Sequence, residues 1–150
     1  MLKPGDRAPE IEAVLEDGST FRLSDQKGLK NVVLYFYPAD FTGGCTRQAC
    51  GFRDAYSDIR DLDAVIVGVS GNSGESHAAF KEKYRLPFQM IADQDHKVMQ
   101  DYEAAKKGIV RPRITYVIDK EGVVRAAFRH DIAINRHISD TIEALKAIQA

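Results

Sequence analysis

Runs and alternations of apolar residues divide the chain into a series of short strands and helices. Two continuous apolar runs, residues 32–37 and 64–69, are typical of strands that are buried on both faces of a sheet. The pattern predicts strands at 11–15, 20–23, 32–37, 64–69, 86–91, 114–118 and 123–128. Apolar residues at helical spacing predict helices at 45–58, 74–84, 95–103 and 134–148.

The order of these elements predicts the class of fold. Turn residues at 17–19 join the first two strands into an N-terminal β-hairpin, and residues 119–122 turn a second hairpin. Strands that alternate with helices and then form a hairpin indicate an α/β fold, with a central mixed β-sheet flanked by helices. This is the order of an elaborated thioredoxin-like fold. Neither a repeat nor a linker interrupts residues 1–150, so we expect a single domain.

Composition and charge narrow the possible functions. Of the 150 residues, 44% are hydrophobic and 29% are charged, which is ordinary for a globular protein. The net charge of −1 gives no electrostatic footprint for nucleic acid or for an anionic membrane. The apolar runs are only as long as strands, so no membrane span is expected. The first residues lack an apolar signal region, and we therefore expect a reducing cytoplasm.

The only two cysteines, Cys45 and Cys50, follow the apolar run 32–37 and lie five positions apart. In a regular helix, positions i and i+5 have Cα atoms roughly 8–9 Å apart, whereas a disulfide needs them within about 7 Å. If residues 45–58 form a regular helix, the two thiols cannot bond until its first turns unwind. The spacing also differs from that of a C-x-x-C motif. Two readings remain: unrelated thiols, or a catalytic pair that bonds after a local conformational change.

The residues around the first cysteine favour a reactive thiol. At the start of a helix, Cys45 lies among unpaired N–H groups at the positive end of the dipole, and both stabilise a thiolate. Thr42 has a hydroxyl that can reach the sulfur or a polar substrate oxygen. Gly43 and Gly44 permit close approach of the backbone, and Pro38 fixes a turn at the strand end. Such a thiolate would attack an electrophilic oxygen or sulfur.

Residues 38–45 resemble the active-site motif of the peroxiredoxins, with Pro38, Thr42 and Cys45 at the matching positions. The continuation through Cys50 is similar to the peroxiredoxin Q subfamily, also called bacterioferritin comigratory protein. Similarity to this subfamily extends over nearly the whole chain, and is carried by residues 5–9, 75–77, 86–88 and 113–119.

The resemblance implies a thiol-dependent peroxidase that reduces hydrogen peroxide and small organic hydroperoxides. In that reading Cys45 attacks the peroxide and becomes a sulfenic acid. Thr42 and Arg113, with backbone N–H groups at Gly44 and Cys45, orient the peroxide and stabilise its developing charge. Cys50 resolves the sulfenic acid as an intramolecular disulfide, which thioredoxin or a similar dithiol protein reduces. The resemblance implies a monomer that needs no metal, flavin or nucleotide.

Two departures from the subfamily pattern bear on the cysteine-containing helix. The subfamily usually has proline where Gly43 stands, which would loosen the loop, and an acidic residue where Gln48 stands, so that an expected local salt bridge is missing. Arg111 is an alternative to Arg113, because only the similarity of the following segment selects the latter.

Simpler interpretations and other functions stay open on the sequence alone. Cys50 is compatible with a small buried hydrophobe, Thr42 with a helix cap, and Arg113 with an ordinary residue at a strand start. The histidines show no ligand spacing with the cysteines, so we expect surface or packing roles and no metal site: His77, His96, His130 and His137. The rival functions are a redox sensor or interaction protein that uses the Cys45–Cys50 switch, and a thiol–disulfide oxidoreductase.

Overall fold

A five-stranded mixed sheet forms the centre of the molecule and is preceded by a two-stranded hairpin. The computed structural model describes residues 1–105 and 112–149. The hairpin consists of β1 (Glu12–Val14) and β2 (Thr20–Arg22). The sheet consists of β3 (Asn31–Phe36), β4 (Ala64–Ser70), β5 (Gln89–Ala92), β6 (Ile114–Ile118) and β7 (Val124–Arg129).

The sheet has the order β5-β4-β3-β6-β7. β3 is parallel to β4, and β4 to β5, whereas β3–β6 and β6–β7 are antiparallel. All six residues of β3 are buried, as its continuous apolar run predicts for a central strand. The prediction of a mixed sheet flanked by helices, with an N-terminal hairpin, is therefore confirmed.

Helices cover the sheet: α1 (Gly43–Asp54), α2 (Tyr56–Asp61), α3 (Gly74–Tyr84), α4 (Lys97–Asp101) and α5 (Arg136–Gln149). A short 3-10 helix, Leu23–Gln26, follows the hairpin and was not predicted from the pattern. Within the ranges that the structure describes, no helix is both long and apolar enough to cross a membrane.

The two faces of β3 supply two hydrophobic clusters. Val32, Leu34 and Phe36 belong to the cluster shared with the hairpin and α4. Val33 and Tyr35 belong to the second cluster, which also contains side chains of α1, α2, α3 and α5. Because alternate residues of a strand point to opposite faces, the same strand anchors both halves of the core and fixes the loop that follows it.

The predicted continuous helix at 45–58 is wrong at both ends. Helix α1 already begins at Gly43, and the helical path breaks at Ala55 (φ −92°, ψ 1°) before α2 begins at Tyr56. Phe52 and Ile59, on either side of the break, are both fully buried in the second cluster. Packing of two separate segments against the sheet thus overrides the helical spacing that the sequence shows.

Candidate active site

Cys45 lies where the central strand β3 passes into helix α1. It is the third residue of α1 and is only 1% exposed, within the cluster that also holds Tyr35, Ala49 and Phe52. The first backbone hydrogen bond of the helix runs from the Thr46 N–H to the Thr42 carbonyl oxygen (2.9 Å). The N–H groups of residues 43–45 therefore have no partner in the helix, and the positive end of its dipole lies at the thiol. Negative charge that develops at this position during a reaction is therefore stabilised by the end of the helix.

Cys50 lies in the same unbroken helix, half-buried, and both thiols are free. Five helical positions separate the two Cα atoms by roughly 8–9 Å, which exceeds the reach of a disulfide. The phenol of Tyr35 is buried close to both thiols: burial first, and then the charges of Cys45, Asp40 and Cys50, raise its pKa well above its usual value. The two thiols are thus too far apart to bond while α1 is intact, and a disulfide between them requires α1 to unwind.

Thr42 occupies the N-cap position of α1, yet its side chain does not cap the helix. Its Oγ1 instead donates to the carbonyl oxygen of Ala39 at 3.0 Å and closes the loop before the helix. The helix-cap interpretation of Thr42 therefore lacks its defining hydrogen bond.

Arg113 reaches the start of α1 from the residue just before β6 and is largely buried. Its backbone N–H donates to Oδ1 of Asp131 (2.9 Å), and its Nη1 donates to Oε1 of Gln48 (3.1 Å). Nη2 lies 2.8 Å from the position that a Cβ atom on Gly44 would occupy. A side chain at Gly44 would displace the guanidinium from this position, so the close approach seen here depends on glycine. Arg113 is therefore packed over the helix start rather than free at the surface.

The two glycines of the loop differ in their surroundings. A Cβ atom on Gly43 would meet nothing within 4 Å, so the absence of a side chain there is not required by packing. Gly44, by contrast, lies under both Arg113 and Ile134. Arg111, the alternative arginine, lies outside the described residues.

Pro38 borders a cavity of about 250 Å³ beside the loop. The cavity is lined from the ends of β3 and β4 and from the segment before Arg113, and its walls include Pro38, Asn72, Met99 and Pro112. The cavity is open to solvent, and its lining is mainly apolar. An organic molecule that approaches the loop can therefore place apolar groups in it.

A buried polar network that the sequence did not reveal holds the loop at Asp40. Tyr37 donates its hydroxyl to Oδ1 of Asp40 (2.5 Å), Ser76 donates to Oδ2 (2.8 Å), and Nδ1 of His77 lies 2.7 Å from Oδ2. Nε2 of His77 donates to the carbonyl oxygen of Ile91 (2.9 Å). The contact between Asp40 and His77 therefore needs a second proton, carried by the imidazole or by the carboxyl.

This network connects the loop to α3 and stabilises an unfavourable backbone conformation in the loop. Phe41, directly after Asp40, has φ 64°, in the left-handed region that non-glycine residues avoid. The side chains of His77 and Asp40 are both fully buried. The sequence offered a hint, since His77 precedes Phe80 on the apolar face of α3, but helical spacing does not disclose a partner 37 positions away.

Replacing Asp40 with alanine is expected to lower the free energy of unfolding by about 3 kcal/mol, because it leaves His77 and two hydroxyls buried without their acceptor. Urea unfolding followed by circular dichroism measures the change. Asp54→Ala is the matched control, since that carboxylate is 72% exposed and should contribute less than about 0.5 kcal/mol. Equal losses in the two variants would contradict a structural role for the Asp40 network.

A second buried histidine lies behind Arg113. Nε2 of His137 donates to the carbonyl oxygen of His130 (2.9 Å), and its Nδ1 therefore accepts from the hydroxyl of Thr115 (2.8 Å). Burial first, and then the neighbouring charges of His130 and Arg113, lower the pKa of His137 to about 4. The imidazole of His137 is thus neutral at pH 7 and adds no positive charge beside Arg113.

Comparisons with known proteins agree with this arrangement. Residues 4–127 match the AhpC/TSA family. The chain is 41% identical to Peroxiredoxin Bcp of Bacillus subtilis over 152 residues, which covers 97% of this chain and 96% of that protein. Among solved structures, Peroxidoxin BcpB from Mycobacterium tuberculosis matches with a TM-score of 0.92 and 30% identity over the whole of both chains.

A further solved structure bears on the chemistry. It is the bacterioferritin comigratory protein of Xanthomonas campestris, described for its alkyl peroxide reduction activity, with a TM-score of 0.86 and 28% identity over 93% of this chain and 92% of that one. The free thiol at the start of α1, the guanidinium over the neighbouring Gly44 and the matches to these relatives lead to one conclusion. The chain belongs to the AhpC/TSA family and is a thiol-dependent peroxidase of the peroxiredoxin Bcp/Q type.

Proposed function

We propose that Cys45 is the nucleophile of this peroxidase and that Cys50 resolves the oxidised product. The observation that carries the proposal is a free thiol at the start of α1, next in sequence to the Gly44 over which a largely buried guanidinium lies, with a second free thiol in the same helix. The thiolate of Cys45 attacks one peroxide oxygen, the O–O bond breaks, and the other oxygen leaves as water or an alcohol once it is protonated. Cys45 becomes a sulfenic acid. The Cys50 thiolate then displaces hydroxide, which leaves as water, and an S–S bond forms.

Arg113, Thr42 and Pro38 bind the peroxide or enclose its site. Nη2 of Arg113 lies over Gly44 and is free of the hydrogen bond that Nη1 makes to Gln48. It can therefore donate to a peroxide oxygen as charge develops there, together with the N–H groups of Gly44 and Cys45. The hydroxyl oxygen of Thr42, which is held in the loop by its hydrogen bond to the carbonyl oxygen of Ala39, accepts from the peroxide O–H. Pro38 shields the site from water and borders the adjoining cavity.

The substrates that fit are hydrogen peroxide and small organic hydroperoxides. The alkyl peroxide activity named for the Xanthomonas campestris relative supports the organic class. The mainly apolar cavity of about 250 Å³ beside Pro38 also supports it, because it can accept an alkyl group without desolvating charge. Thr42 and Arg113 would act only on the peroxide oxygens, which all members of this class share.

The disulfide form needs a reductant, for which we propose thioredoxin or a similar dithiol protein in a cytoplasmic setting. A half-buried Cys50 becomes exposed when α1 unwinds, which gives a dithiol access to the S–S bond. We further propose that residues 1–150 form a single domain and act as a monomer without a membrane partner. The sensor and protein-disulfide oxidoreductase alternatives draw no specific support from the comparisons.

Turnover separates the peroxidase from these alternatives. The protein should consume peroxide over many cycles with thioredoxin, thioredoxin reductase and NADPH, whereas a sensor would be oxidised once and then stall. A protein-disulfide oxidoreductase would reduce insulin disulfides faster than it consumes peroxide.

Replacing Cys50 with serine is expected to cut thioredoxin-dependent turnover at least about tenfold, while one equivalent of peroxide still oxidises Cys45. The physical reason is that the sulfenic acid then has no thiol within the chain with which to condense. Intact-mass spectrometry after one equivalent of peroxide should show a loss of two hydrogen atoms in the parent protein and a gain of one oxygen atom in the variant. Normal turnover in the variant, with no disulfide in the parent, would show that Cys50 is only a buried apolar residue.

A further inference from the structure

The side chain of Tyr35 on the central strand β3 carries a buried hydroxyl that is not hydrogen-bonded. Its Oη has no hydrogen-bond partner among residues 1–105 and 112–149, and the residue is 0% exposed. A buried hydroxyl without a partner costs free energy, whereas an apolar side chain of the same shape does not. Tyrosine is therefore less favourable at this position of the folded protein than phenylalanine would be.

The hydroxyl groups of the other buried tyrosines are all paired within the described residues. Tyr37 donates to Asp40, as described above. Tyr102 donates to the carbonyl oxygen of Pro9 (2.5 Å), and Tyr116 donates to the carbonyl oxygen of Tyr102 (2.6 Å). An unpaired hydroxyl is thus not a general feature of tyrosine in this fold. It is specific to the position beneath α1.

Strand β4 and helix α1 enclose this hydroxyl. Gly68 is the register partner of Tyr35 on β4, and a Cβ atom there would lie 3.1 Å from Oη. The Tyr35 ring packs against Phe52, and Cys45 and Ala49, each 1% exposed, belong to the same cluster. Burial first, and then the negative charges near it, raise the pKa of the phenol well above its usual value. The hydroxyl is therefore a neutral donor beneath the part of α1 that carries both thiols.

Unwinding of α1 would change the surroundings of the hydroxyl without moving the tyrosine. Cys45 and Ala49 would leave the cluster, so that water could reach Oη, while Tyr35 would stay in β3 with Phe52 on its ring. The cost of the unpaired hydroxyl is thus present while α1 is wound and is removed when the helix opens. It offsets part of the cost of exposing the apolar surface of the opened segment.

We propose that Tyr35 is a positioning residue of the resolving step, whose unpaired hydroxyl weakens the wound form of α1 and so speeds the approach of Cys50 to the Cys45 sulfenic acid. The inference rests on the proposed roles of the two cysteines. Resolution competes with a second peroxide, which would transfer one oxygen to the sulfenic acid to give a sulfinic acid and would leave as water or an alcohol. Easier unwinding favours the disulfide, which a dithiol can reduce.

Replacing Tyr35 with phenylalanine removes only the hydroxyl and tests this role. In the reduced protein, amide hydrogen exchange of residues 46–50 should slow about fivefold, and Tm should rise, because the wound helix no longer buries an unpaired group. After one equivalent of hydrogen peroxide, Cys45 oxidation should keep its rate within about twofold, while disulfide formation, followed by acid quench and intact-mass spectrometry, should slow about fivefold. With excess peroxide, the ratio of sulfinic acid to disulfide should rise by a similar factor.

Tyr102→Phe is the matched control, since it removes a paired hydroxyl on the other face of the sheet. It should lower Tm and leave the rate of disulfide formation within about twofold of the parent value. A second variant tests whether Tyr35 acts through the helix. Arg47→Gly weakens α1 at an exposed position, and in the Tyr35→Phe background it should return disulfide formation toward the parent rate.

Three results would each overturn the proposal: a lower Tm or faster exchange in Tyr35→Phe, an unchanged rate of disulfide formation in that variant, or no recovery when Arg47→Gly is added. Hydrogen exchange and thermal unfolding of the reduced protein need no peroxide. Failure of the proposed function would therefore appear separately, as the absence of a disulfide in the parent protein after peroxide.

Discussion

Replacing Cys45 with serine is expected to abolish peroxide reduction, with a loss of at least about a thousandfold in the rate. The reaction needs an atom that is ionised near neutral pH and can bond to oxygen and then to sulfur, and a serine hydroxyl does neither. The change is small in volume, and Cys45 is 1% exposed in a packed cluster, so the fold should be retained. Stopped-flow consumption of hydrogen peroxide, coupled to NADPH oxidation through thioredoxin, measures the loss.

The matched control for this experiment is the other thiol. Cys50→Ser makes the same chemical change five positions along the same helix and should keep one round of Cys45 oxidation. Thermal unfolding of both variants checks that the helix is intact. Residual peroxide consumption in Cys45→Ser that disappears when Cys50 is also replaced would move the role of nucleophile to Cys50.

Replacing Arg113 with methionine is expected to lower kcat/KM for hydrogen peroxide by about 10²–10³-fold. The variant removes the donor held over Gly44, where charge develops as the O–O bond breaks, and it leaves the acceptor of Gln48 unpaired. Arg113→Lys should lose about tenfold less, because the charge remains while a single ammonium cannot serve both Gln48 and the site. Rapid-mixing measurement of the second-order rate of Cys45 oxidation reports the effect directly.

Arg60→Met is the control for a lost arginine charge, since that side chain is 59% exposed on α2. It should change the rate less than twofold at physiological ionic strength. If Arg113→Met oxidises as fast as the parent protein, transition-state stabilisation by the guanidinium is excluded, and the backbone N–H groups of α1 would have to supply it.

The fold was predictable from the sequence because its elements have strong local signals. Helix α3 extends from Gly74 to Tyr84 as predicted, since Ser73 caps it by accepting from the N–H of Ser76 and Arg85 ends it in the left-handed conformation. The apolar runs at 32–37 and 64–69 became adjacent buried strands for the same reason. In these segments, local propensity and tertiary packing favour the same structure.

The parts that the sequence did not predict depend on contacts between distant segments. Nothing in the helical spacing at 45–58 marks the break at Ala55, which lies between two residues, Phe52 and Ile59, that both pack in the second cluster. The contact between Asp40 and His77 joins residues 37 positions apart. Residue type alone also treats Gly43 and Gly44 alike, and only the position of Arg113 above the second of them separates their roles.

The break at Ala55 has a consequence for how far oxidation can disorder the protein. Phe52 is fully buried, with its ring 4.8 Å from that of Tyr35, and α2 is anchored separately through Ile59. Unwinding that begins at Gly43 can pass Cys50 without moving either anchor, but melting that extends two residues beyond Cys50 would expose Phe52 at a cost of about 2 kcal/mol or more. We therefore expect a protein oxidised to the Cys45–Cys50 disulfide to unwind only a short segment that ends before Phe52, while the rest of the molecule stays folded.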